Sequence, residues 1–128
     1  MANECIPLFR PGADMTGQCS AAVTGKRVLR LTATRDATTG LVVVANTTAN
    51  TQRPFGIAGY DQVINGRVPI LKGKGLIVPV TAGAAIAFDT EVESDATGRV
   101  VAFTTGAKVG RTIEAVGAAG VDVFIELY

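Results

Sequence analysis

Between Val78 and Phe103 the chain runs Val-Pro-Val-Thr-Ala-Gly-Ala-Ala-Ile-Ala-Phe-Asp-Thr-Glu-Val-Glu-Ser-Asp-Ala-Thr-Gly-Arg-Val-Val-Ala-Phe, short apolar runs separated by glycine-bearing turns. That spacing belongs to compact β structure. Val78 and Val80 end one strand, Ala82 to Ala87 form a corner or a single helical turn, Val92 centres a second strand, and Asp95-Ala-Thr-Gly98 turns into a third. No segment of the chain sustains an apolar stripe at helical period, so the chain reads as all-β with at most one short helix.

The same turn occurs twice. Asp36-Ala-Thr-Thr-Gly40 leads into Leu41-Val-Val-Val44 much as Asp95-Ala-Thr-Gly98 leads into Arg99-Val-Val-Ala102. Set without a gap at an offset of 58 (98 against 40), residues 40–59 and 98–117 share Gly40/Gly98, Val42/Val100, Val43/Val101, Thr47/Thr105, Ala49/Ala107, Arg53/Arg111 and Gly59/Gly117. The match fails upstream of the two turns. We read a partial internal duplication covering about residues 36–71 and 95–127.

Further strands follow from alternation and punctuation. Lys26 to Ala33 reads as half-buried, with Leu29, Leu31 and Ala33 on the inner face. Asn65-Gly66 signals a hairpin turn. Pro69 and Pro79 each remove a ladder donor and place their strands at an edge or a bulge. In the last strand Val121, Val123, Ile125 and Leu127 share one face, opposite Asp122, Phe124, Glu126 and Tyr128. Residues 1–25, with Pro7, Pro11, Gly12, Gly17 and Gly25, show no such periodicity and read as an extended arm before a single domain at 26–128. Within the arm, Ile6, Leu8, Phe9 and Arg10 cluster between and beside two prolines, a pattern suited to a preorganised peptide that docks on a partner.

Reactive chemistry is thinly supplied. The chain has no His, which removes Ser/His/Asp and Cys/His arrangements, and two cysteines alone cannot build a four-ligand zinc site. Cys5 and Cys19 are compatible with a disulfide or with two free thiols. Lys72-Gly-Lys-Gly75 lacks the longer glycine pattern of a phosphate loop and reads as a turn. Asp89, Glu91, Glu93 and Asp95 alternate along one strand and read as a solvated face; a cation site for a metal-dependent hydrolase is the enzymatic alternative. No cofactor is expected.

Net charge is +1, without the footprint of a nucleic-acid binder, and no apolar run is long enough for a membrane helix. The start of the chain carries no secretory pattern, so synthesis in the cytoplasm is expected. The charges are nevertheless sorted: nine Lys/Arg against four Asp/Glu in residues 1–80, three against seven in 81–128. Such polarity suits contact with neighbouring subunits or a charged lattice.

The stretch from Val78 to Gly98, then Val100-Val-Ala102, Gly106, Val109-Gly110, Ala115, Gly117-Ala-Ala-Gly120 and a final Val-x-Val-x-Ile strand, resembles the small capsid decoration, or cement, proteins of tailed bacteriophages. The resemblance spans roughly residues 75–128. It implies a small single-domain β-barrel or β-tulip-like fold and a non-enzymatic structural protein on the outer surface of the virion head. The major capsid protein is the implied partner, and a homotrimer the implied assembly. Ile6, Leu8, Phe9 and Arg10 are the candidate capsid-binding residues. A carbohydrate- or host-binding surface module is the non-enzymatic alternative.

Overall fold

A computed structural model describes residues 15–128. Ten strands and no helix make up the described chain. The first five are β1 (Met15–Cys19), β2 (Val28–Ala33), β3 (Val42–Asn46), β4 (Gly56–Ala58) and β5 (Arg67–Leu71). The second five are β6 (Ile77–Thr81), β7 (Glu91–Ser94), β8 (Val100–Ala102), β9 (Lys108–Thr112) and β10 (Asp122–Leu127). The first set closes into a barrel in the order β1-β3-β2-β4-β5, and the second forms a sheet in the order β6-β10-β9-β7-β8.

The two sets share one pairing scheme. β1 pairs β3 in parallel and β5 antiparallel, while β2 pairs β3 and β4. In the second set β6 pairs β10, β10 pairs β9, and β7 pairs β8 and β9, all antiparallel. A single parallel bridge, Ala82↔Val100, stands where the β1–β3 ladder stands in the barrel. The bridge Val23↔Gln62 likewise has its counterpart in Ile86↔Val116. The scheme includes β1 and β2, upstream of the region where the sequences match.

Turn chemistry explains the segment that matches best. Asp36 accepts hydrogen bonds from the Thr38 and Thr39 amides, and Asp95 from those of Thr97 and Arg99. Gly40 (φ 76°) and Gly98 (φ 83°) then turn the chain through the left-handed region into β3 and β8.

Two apolar clusters hold the molecule together. Cys19, Val23, Leu29, Val44, Ala58, Val68 and Ile70 fill the barrel. The other cluster gathers the inner face of the second sheet and also takes Val28 and Ile57, which sit opposite each other on β2 and β4. Those two side chains leave the barrel and enter the neighbouring core. β2 thus buries adjacent residues on opposite faces, Val28 and Leu29 both at 0% exposure, whereas Leu31 is half exposed. The expected inward set Leu29, Leu31, Ala33 is corrected accordingly. A bulge between Leu31 and Ala33 interrupts the pleat that simple alternation assumes.

Other expectations are also revised. β1 lies at 15–19, inside the segment read as an arm, with Cys19 and Val23 in the barrel core, so the barrel begins well before residue 26. At Gly17 a Cβ would meet Ile70 Cδ1 at 2.6 Å, so a larger residue there would push that terminal methyl aside. Asn65-Gly66 is not a two-residue hairpin. The turn is Val63–Gly66, closed by the Gly66 amide on the Val63 carbonyl at 3.0 Å, with Asn65 at φ 65° as its third residue. Pro79 lies on β6, at the end of the sheet order. Pro69 lies on β5 inside the closed barrel, just past the last β4–β5 pair, Ala58↔Ile70, where its missing N–H removes no bond from that ladder. Residues 82–87 form a bridged corner without helix.

Candidate partner-binding surfaces

The four alternating carboxylates part company in the fold. β9 carries one extra residue, Val109, opposite the step from Val92 to Glu93 on β7, and Glu93, roofed by the 104–106 loop where Glu91 is not, is buried at 2% exposure. Its Oε1 accepts from the Thr104 amide, from Thr104 Oγ1 at 2.9 Å and from the Thr105 amide at 3.2 Å. Burial pushes this carboxyl up, but these bonds, with further ones from Asn50 and the Gly106 amide, outweigh it and hold it at about 2. Asp95 is the turn residue already described. Glu91 pairs with Lys108 at 3.2 Å and accepts from the Tyr128 hydroxyl at 2.7 Å, while Asp89 faces Arg111. The solvated-face reading therefore fails at Glu93, which anchors the 104–106 loop. Among the described residues no three His, Cys, Asp or Glu side chains gather as metal ligands.

Cys19 is a free thiol enclosed in the barrel core, where burial raises its pKa. Cys5 lies outside the described residues, as do the candidate capsid-binding residues Ile6, Leu8, Phe9 and Arg10. Met15, the first described residue, pairs with Ile70, so the arm joins the barrel at the end where β5 finishes and Lys72 follows.

Three exposed surfaces carry apolar side chains. On the outward face of the second sheet, Phe124 lies opposite Pro79 on β6, and its carbonyl accepts from the Ile113 amide. Phe124 and Ile113 are about half exposed, and Phe88, the neighbour of Asp89 in the chain, is 70% exposed. Beside them Arg111 bridges Asp89 and Glu126. At the barrel end away from the arm, loop 59–66 presents Tyr60, Val63 and Ile64. This loop is pinned by the exchange of bonds between Cys19 and Asn65–Gly66 and by Gln62 Nε2 on the Arg67 carbonyl at 2.8 Å. The third surface lies around Pro54–Phe55, flanked by Arg30, Leu31, Arg53 and Lys72. Periodicity does not locate it, because Pro54 and Phe55 lie just ahead of β4 and alternation puts Leu31 on the inner face.

Fixed loops, satisfied carboxylates and exposed apolar side chains on a closed β framework make up these surfaces. The phage cement protein family model matches residues 22–127, nearly all of the described fold. The chain belongs to the phage cement protein family and is a structural, capsid-associated protein of the virion. Its fold is that of the N base of the head fiber protein gp8.5 of bacteriophage phi29, with a TM-score of 0.73 at 17% identity, over 91% of this chain and 93% of that one. No curated protein matches the chain in sequence.

Proposed function

We propose that the protein adds to the outer surface of a tailed-phage head and clamps neighbouring subunits of the major capsid protein, acting as a homotrimer. The family match across 22–127 carries this reading. The fold supports it, since two β modules joined through Val28 and Ile57 in the second core offer a stiff body whose contacts lose little entropy on docking. That a chain of this fold forms the base of a head fiber in phi29 supports a position on the outside of the head. Ile6, Leu8, Phe9 and Arg10 act in this scheme as an extended capsid contact. Burying Leu8 and Phe9 would contribute on the order of 3 to 6 kcal/mol before ordering costs.

The test is cosedimentation with capsids assembled without the protein. Saturable binding supports the proposal, and protein left wholly in the supernatant contradicts it. Native mass spectrometry checks the assembly: the expected species is three times the 13.2 kDa chain, and a lone monomer at tens of micromolar contradicts a preformed trimer.

A further inference from the structure

Charge in this molecule is sorted by module, and the two signs are used differently. Residues 15–76 hold eight Lys/Arg and two Asp/Glu, and residues 77–128 hold three and seven. The carboxylates are engaged. Asp36 and Asp61 accept from backbone amides, Glu114 from that of Phe124, Glu93 is buried in its loop, and the others pair with Lys26, Arg99, Lys108 or Arg111. By contrast Arg30, Arg35, Arg53, Arg67, Lys72 and Lys74 form no ion pair with any described side chain.

Three of these cations converge on Pro54–Phe55, at the barrel end where the arm joins. On one side a hollow of about 360 Å³ is lined by Arg30, Leu31, Gln52, Arg53, Pro54 and Phe55. On the other, the Lys72 ammonium sits 4.0 Å from the centre of the Phe55 ring. Arg30 Nε is buried without a hydrogen-bond partner, and Leu31 is 51% exposed beside it. An unpaired guanidinium nitrogen held next to an exposed leucine is costly unless something completes both.

We infer that this groove receives an acidic, extended segment of the capsid protein, its carboxylates on Arg30, Arg53 and Lys72 and an apolar side chain against Leu31 and Pro54. The inference rests on the capsid-binding reading above and names the chemistry of the contact. A second copy of the chain is a poor occupant, because its own described carboxylates are already engaged. Nucleic acid is also a poor one: the Phe55 face that a base would stack on is covered by Lys72.

Cosedimentation with capsids lacking the protein, repeated over a series of salt concentrations, tests the groove. The proteins compared are wild type, Arg53→Glu, Lys72→Glu, Arg53→Gln and Arg67→Glu, the last changing charge at the far end of the barrel. Wild type should bind with an affinity that falls as salt rises. Arg53→Glu and Lys72→Glu should each weaken binding by about tenfold or more, Arg53→Gln by less, and Arg67→Glu by under about twofold. Arg53→Gln keeps the test valid should the charge reversal unfold the chain. If wild type binds and the groove variants bind equally well, the groove assignment is wrong and the capsid reading stands. If wild type does not bind, the capsid reading fails and the groove falls with it. A lower melting temperature for Arg53→Glu and Arg53→Gln with unchanged capsid binding would assign the groove to the chain's own Glu4 or Asp14 and overturn the inference. Binding of a mixed-sequence DNA duplex that is lost in Arg53→Glu, with capsid binding unaffected, would overturn it in favour of nucleic acid.

Discussion

Glu93 shows how one residue joins the two modules. Its carboxylate is buried, yet it is ionised because it accepts several hydrogen bonds from the 104–106 loop and from Asn50, which belongs to the segment after β3. Next to it Ser94 Oγ donates to the Ala49 carbonyl, and the Ala107 amide donates to that of Asn50. A methyl on Gly106 would collide with the same Asn50 carbonyl. The folded-state pKa lies below the unfolded value, so the stabilisation is present above about pH 4.5 and is lost as pH falls toward about 2. On the scale of 1.36 kcal/mol per pKa unit this amounts to roughly 3 kcal/mol. Urea unfolding at a series of pH values should therefore show stability falling through this window. Glu93→Gln should be destabilised at pH 7 by about 2 to 4 kcal/mol and show a flatter acid limb. An acid limb unchanged by the substitution would mean that other carboxylates govern it.

At the scale of elements, β1 is the strand whose loss should matter most. It closes the barrel by pairing both β3 and β5, and it contributes Cys19 to the core. Its sequence, Met-Thr-Gly-Gln-Cys, hides this role, since only Met15, Gly17 and Cys19 alternate inward and the middle one has no side chain. The alternation was present but lacked the β-branched residues that mark a strand. Removal of residues 2–14 is expected to leave the melting temperature within a few degrees and to weaken capsid binding. Removal of residues 2–20 should abolish cooperative unfolding, because the barrel would expose its core and two strand edges. Circular dichroism melts of the two truncations check this, and a cooperative melt in the longer deletion would contradict the role given to β1. β10, by contrast, was largely legible: Val123, Ile125 and Leu127 are buried, and Phe124 and Tyr128 stand outside, as their alternation requires, but Val121, expected on the inner face, lies ahead of the strand and is 50% exposed. At Leu31 and Glu93 counting by twos gave the wrong burial, because Leu31, just ahead of the β2 bulge, is left uncovered at 51% exposure and Glu93 is roofed by the 104–106 loop. Such cover comes from distant parts of the chain, which local sequence does not contain.

Across the whole molecule, two modules with one pairing scheme are bound through a shared core. Val28 and Ile57 are the fully buried barrel residues that enter it, a role invisible to periodicity because it depends on which outer face of the barrel the second sheet covers. Ile57→Ala should cost about 2 to 5 kcal/mol, and calorimetry should still show a single transition, since both modules lean on that side chain. Two separated transitions would show that the modules fold independently. The all-β class and the matching turns at Asp36 and Asp95 could be read directly from turn residues and alternation. The Pro54–Phe55 groove could not, because it is assembled from a loop, a bulged strand and Lys72, which are distant in sequence. The central claim, that this family member stabilises a phage head from outside, is tested most directly by the rupture temperature of capsids in a dye-access melt with and without saturating protein. The account predicts a rise on adding wild type, with a smaller rise for the 2–14 truncation and for Arg53→Glu. A rupture temperature unchanged at saturating, demonstrably bound protein would contradict it.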